Sequence, residues 1–186
     1  MPKNDFRITV HMVASLDGMI ARKDNSVSWF ETTSDFEKGV SGEDQAEAIK
    51  TIDCYVMGSK TYEHAMELSK SYGWVYGDTP TVVVTSRKLP TERASVQFFS
   101  GDLHKLVADR LKPNYRNVWV VGGPILVRDF LRLGLADEIR MPVLPIILGE
   151  GTLFFDHIGK ETLLSLKDVT AYKNGMVELC YEIKKQ

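Results

Sequence analysis

Apolar positions along this chain follow two patterns that alternate through its middle. Short runs of Val, Ile, Phe and Tyr closed by glycine, proline or small polar residues predict strands, and longer stretches with apolar residues every three or four positions predict helices. Residues 6–13, FRITVHMV, are the first strand run, followed by the turn-prone pair Asp17-Gly18. Further strands are expected over 53–57, 81–85, 96–99 and 117–121, with helices over 61–68, 103–111 and 124–133. Pro113 is expected to stop the second of these helices and Gly134 the third. Gly39 and Gly42 interrupt any helical period after Trp29, and Ser41 reads as the cap of a helix over 42–51, with Asp44 in its first turn.

Strand-helix alternation of this kind argues for an α/β domain with a parallel sheet. The end of the chain differs. Residues 139–148, 163–172 and 176–183 read as strands, and Lys173-Asn174-Gly175 is a hairpin signal between the last two. The expected architecture is one domain with a central, twisted, mostly parallel sheet, a C-terminal antiparallel hairpin and helices on both faces. Pro142 and Pro145 suggest that their strand is bulged or lies at an edge.

The stretch VWVVGGPILVRDF, residues 118–130, carries the first chemical signal. An apolar strand ends in Gly122-Gly123, and Pro124 then suits a first helical turn. Glycine lets the backbone come close to a ligand, and the free N–H groups of a helix start favour a phosphate. A tight turn holding no ligand explains the same residues, and GxGxxG is absent. Two other strand ends resemble it. MGSKTYEHA offers Gly58, Ser59, Lys60 and Thr61 at a helix start, and VVVTSRKLP offers Thr85, Ser86 and Arg87. Ligands of open α/β sheets bind beyond the carboxyl ends of the strands, so one extended, multiply phosphorylated ligand would unite all three turns.

Composition narrows the function class. The 186 residues are 44% apolar and 26% charged with formal net charge -2, enough for one sizeable core and without an electrostatic footprint for nucleic acid or anionic membrane. Cys54 and Cys180 lie far apart and read as reduced thiols. The N-terminal residues lack a secretory apolar region and no run is long enough to span a bilayer, so a cytoplasmic protein is expected. His11, His64, His104 and His157 have no metal-ligand spacing, and no metal is expected.

In order and spacing, SLDGMIA (15–21), MGSKTYE (57–63), VVVTS (82–86), VVGGPILVRDFL (120–131), GLADEIR (134–140) and PIILGEGTLFF (145–155) resemble the dihydrofolate reductase-like superfamily. Within it, the chain is most similar to short proteins related to the reductase domain of the bifunctional riboflavin-biosynthesis deaminase-reductase. That resemblance implies an NADPH-dependent reductase, commonly a homodimer. It implies that Gly58, Ser59, Lys60 and Thr61 hold the pyrophosphate and adenosine side, and that Thr85, Ser86 and Arg87 meet the 2′-phosphate. Gly122 and Gly123, with Pro124, Ile125, Leu126 and Val127, would carry the pyrophosphate; Ala14, Asp17, Gly18 and Ile20 would flank the nicotinamide. Trp29 matches the tryptophan of the substrate loop, making Asp35 and Glu31 the candidate carboxylates for proton positioning, Asp35 the better placed beside Phe36 and a substrate contact as well.

The chain also departs from these relatives. The DDPxLTxR-like stretch is replaced by EHAMELSKSYGWVYGDTP, Val121 stands where an acid often precedes the glycines, and the Leu-Pro approach of the folate enzymes is missing. The reductase class follows from the resemblance; the individual heterocyclic substrate does not. A non-catalytic NADPH-binding sensor on the same fold is the alternative. Asp17 itself reads as a turn former or a substrate contact, and Tyr72, Trp74 and Tyr76 either line a substrate mouth or pack their loop.

Overall fold

In β1 (Arg7–His11) Ile8 and Val10 are fully buried, and with the strand's two-residue period Thr9 and His11 project from the opposite face. The same alternation builds the whole sheet. The computed structural model describes residues 6–42, 49–91 and 93–185. The other strands are β2 (Ala14–Ser15), β3 (Met19–Ala21), β4 (Cys54–Gly58), β5 (Thr81–Val84), β6 (Val96–Phe99), β7 (Asn117–Val120), β8 (Glu138–Leu144), β9 (Thr152–Leu153), β10 (Leu164–Ala171) and β11 (Val177–Ile183).

Among the described residues nine strands share one sheet, in the order β10-β11-β8-β1-β7-β4-β5-β6, with β2 also on β8. From β6 to β8 every pairing is parallel, and β8-β11-β10 is antiparallel. β3 and β9 make a small separate pair. Cys54, Val56, Val82, Val118 and Val120 join Ile8 and Val10 in a core closed by Leu106, Leu111, Val127 and Phe130. Tyr55, Met57, Val83 and Trp119 point the other way and pack with Tyr62. Helices therefore cover both faces, as the strand-helix alternation implies.

Those helices are α1 (Ser59–Tyr72), α2 (Leu103–Lys105), which runs through a π-helical stretch (Leu106–Leu111) into α3 (Lys112–Asn114), and α4 (Pro124–Arg132). Gly134, at φ +66, follows α4 as its stop. A 3-10 turn, Ser28–Glu31, buries Trp29 against Leu144, Tyr172 and Met176. The helix expected over 42–51 falls mostly outside the described residues, which retain its last turn at 49–50.

Three expectations about local structure are corrected. α1 starts at Ser59 and reaches Tyr72, longer than 61–68, because Gly58 is both the last residue of β4 and the helix N-cap. Its polar second half hides the period but carries a Glu67–Lys70 pair at 2.5 Å. Pro113 does not end its helix. It lacks the N–H for an ordinary helical bond, and the chain widens into π geometry just before it. Finally, β8 is an interior strand despite Pro142. On its β1 side the register runs from Glu138 to Arg140, and resumes on β2 at Val143. Pro142 falls where β1 has ended and β2 has not begun, so no ladder bond is lost there; Pro145 lies beyond the strand.

Phe130 is fully buried between α4 and the sheet. Phe130→Ala is expected to lower unfolding free energy by about 3–5 kcal/mol, seen as a reduced urea midpoint with an unchanged slope.

Candidate active site

The three phosphate-compatible turns sit on adjacent strands. β7, β4 and β5 are neighbours and parallel, so their carboxyl ends open on one edge of the sheet. The Gly58 N–H donates to the Gly122 carbonyl at 2.8 Å, and the Val121 N–H donates to Val56 at 3.0 Å. Gly122 has φ +114 and is buried, and the Gly122–Gly123 peptide is cis. A Cβ at Gly122 would lie 2.9 Å from Met12 Sδ and 3.3 Å from Thr61 Oγ1; one at Gly123 would lie 3.4 Å from the same hydroxyl. Glycine at 122 is thus required by the backbone angle and favoured by the close approach of the Met12 and Thr61 side chains.

Both helices that start here do so without a side-chain cap. The N-caps are Gly58 for α1 and Gly123 for α4, and neither helix has an acid in its first turn. By contrast, Asp102 caps α2, accepting from the Lys105 N–H at 3.0 Å. Two uncapped helix starts beside each other leave N–H groups and positive dipole ends free for an anion. Ser59 and Thr61 are half-buried there and Lys60 is exposed. In α4, Leu126 and Val127 turn their side chains into the core and the Val127 N–H is used by Gly123, whereas Ile125 is exposed. Pro124 opens the helix without an N–H to leave unpaired.

At the third turn Thr85 Oγ1 accepts the Arg87 N–H at 3.0 Å, and Ser86 is exposed. The Arg87 guanidinium donates to both oxygens of Glu63 on α1, at 2.8 and 2.6 Å. This pairing holds the Glu63 carboxyl below its usual range.

The segment expected to flank a nicotinamide lies across β1 from these turns. Ala14 is fully buried in β2, which continues the edge opposite Val143, and Ile20 is half-buried in β3. Asp17 is committed internally. Its carboxylate accepts from Ser15 Oγ at 2.6 Å and from the N–H groups of Leu148 at 3.1 Å and Gly149 at 2.7 Å. The Ser15 hydrogen bond and these amides lower its pKa. Gly18, at φ +79, completes the turn with its N–H on Ser15. Asp17 clamps two loops together, which fits the turn-forming reading.

Trp29 is buried at the same edge, with its Nε1 unpartnered. Glu31 ends the 3-10 turn and Asp35 lies in an irregular segment; both are exposed. Asp35 thus stands outside any helix. Instead Ser34 and Phe36 donate their N–H groups to Asn174 and Lys173, tethering the segment to the hairpin turn at 2.9 Å each.

Four residues of β1, β7, β8 and β11 gather on one face of the sheet. His11 stacks on Trp119 with ring centroids 4.3 Å apart, and Arg140 lies over the same indole at 5.8 Å. Burial, then Arg140, push the His11 imidazole down to about 3, leaving it neutral at pH 7. Glu178, 3.5 Å from Arg140, is buried with its carboxyl pKa raised by burial. Strand parity could have found this strip, because positions 11, 119 and 140 share one sheet face. By contrast, Trp74 and Tyr76 pack on one another at 5.1 Å, and Tyr76 lies 4.8 Å from Tyr55, the packing reading of that loop.

A mostly parallel sheet ending in an antiparallel hairpin, with glycine turns on adjacent strand ends, defines the dihydrofolate reductase-like class. Solved structures agree. A Shewanella sp. PV-4 protein whose name links it to riboflavin biosynthesis superposes with TM-score 0.81 at 22% identity, covering 97% of this chain and 100% of that one. The dihydrofolate reductase of Enterococcus faecalis complexed with NADP(H) gives TM-score 0.60 at 16% identity, with 98% of each chain covered. At these identities the likeness is one of fold.

Sequence carries the assignment further. The family model for the RibD C-terminal domain matches residues 7–178, and the chain belongs to this reductase-type family. The uncharacterized protein YwjB of Bacillus subtilis (strain 168) is 30% identical over 175 residues, spanning 94% of this chain and 97% of that protein. YyaP of the same organism, also uncharacterized, is 26% identical over 184 residues, with 94% of each covered.

Because the Asp17 pKa is depressed on folding, its clamp stabilises above the ordinary carboxylate value of about 4 and is lost as pH falls through the folded value. Asp17→Asn should melt below the parent at pH 7, and the gap should close as melts are repeated at pH values descending below about 4.

Proposed function

We propose that the protein is an NADPH-dependent reductase that transfers hydride to a C=N or masked carbonyl carbon of a pyrimidine- or pterin-like heterocycle. The observation that carries this reading is the pair of uncapped helix starts at Gly58 and Gly123, joined by the Gly58 to Gly122 hydrogen bond beside a turn bearing Arg87. These residues fit a dinucleotide: amides of α1 and α4 for its pyrophosphate, and Thr85, Ser86 and Arg87 for a 2′-phosphate. When bound, NADPH supplies the hydride; the chain's part is to orient it and keep water out. Ala14, Asp17, Gly18 and Ile20 would flank the nicotinamide and Trp29 would pack beside the substrate. Asp35, with Glu31 as the second candidate, would position the proton for the reduced nitrogen or oxygen. A homodimer belongs to the same reading, supported by exposed Leu164, Leu166 and Val169 on edge strand β10.

The exposure of both carboxylates favours one alternative, a sensor that binds NADPH without consuming it. Two measurements decide. NADPH fluorescence titration should give saturable binding well below millimolar concentrations, and absorbance should report oxidation with a member of a heterocycle panel. Binding with no oxidation across the panel selects the sensor; absence of binding removes both readings.

Gly58→Asp separates site from fold. Gly58 has φ -82 and ψ 167, which aspartate adopts readily, and Asp is a favoured N-cap. The variant should keep or raise its melting temperature and lose NADPH affinity by more than about tenfold, because a carboxylate would occupy the anion's place. If Asp35 serves the proton, Asp35→Asn should cut turnover by about a hundredfold with NADPH affinity unchanged.

A further inference from the structure

The Glu63–Arg87 pair joins two elements of the candidate adenosine site. Glu63 follows Ser59 by four positions and Lys60 by three, so on α1 it stands on the same helical face as the first-turn groups. Its two oxygens take the two terminal nitrogens of Arg87 at 2.6 and 2.8 Å. Both side chains are substantially open to solvent, 43% for Glu63 and 55% for Arg87. An exposed pair of this kind is held weakly, and a dianionic phosphate is a stronger partner for a guanidinium than a single carboxylate.

We infer that Glu63 sets how strongly the site prefers a 2′-phosphorylated dinucleotide, by occupying Arg87 until a 2′-phosphate displaces it. This rests on the NADPH reading above. An unphosphorylated ribose 2′-hydroxyl leaves the ion pair intact and can itself donate to a carboxylate, whereas a 2′-phosphate must break the pair and then lie near the released Glu63. Glu63 therefore acts against NADPH and not against NADH, and restrains a discrimination that Arg87 alone would make larger.

The test is a comparison of dissociation constants for NADPH and NADH, at low ionic strength, on the full chain and two variants. Glu63→Gln should tighten NADPH by about two- to fivefold, the equivalent of one exposed ion pair, with NADH unchanged or weaker. Arg87→Gln should abolish the preference for NADPH. If Arg87→Gln does so while Glu63→Gln leaves the NADPH-to-NADH ratio unchanged or lower, Glu63 only steadies Arg87 and the inference falls while the NADPH reading stands. If neither dinucleotide binds the parent chain, both fall. Circular dichroism melts matching the parent show that both variants are folded.

Discussion

The hydrogen bond from Gly58 to Gly122 ties together the ends of two parallel strands at the point where each becomes a helix. Its formation needs an unobstructed backbone at Gly122. Gly122 is held at a positive φ that most side chains resist, with Met12 and Thr61 already against the place a Cβ would take. Around this contact the rest of the arrangement is nearly forced. β4 and β7 must be adjacent and parallel, α1 and α4 must begin side by side, and their unsatisfied amides must open in one direction. An edge with this concentration of free N–H groups is the part of the molecule best suited to an anion.

Much of this was legible in the sequence because strand periodicity and glycine placement are local signals. Val96–Phe99 and the start of α4 at Pro124 fall where the pattern puts them, and Lys173-Asn174-Gly175 makes the hairpin turn. The misread elements share a different cause. Pro113 and Pro142 obey rules about hydrogen bonds, and whether a bond is missed depends on neighbours that are remote in sequence. The extent of α1 was hidden because most of its second half faces solvent.

The candidate site divides along the same line. Gly58, Gly122 and Arg87 announce themselves by type and position at strand ends. Asp17 does not, since only the fold reveals that its carboxylate accepts from Ser15, Leu148 and Gly149. The strip of His11, Trp119 and Arg140 is a product of strand register. There a neutral imidazole and a guanidinium pack against a buried indole.

Sheet order also assigns territory. The three phosphate-compatible turns stand on the β7-β4-β5 side of β1, while Ala14, Asp17, Trp29 and the Asp35 segment gather on the β8-β11 side. β1 is the boundary between the two. A ligand reaching from those turns to the Ala14 and Trp29 segment would have to cross the end of β1, so both flanks would have to act on it together.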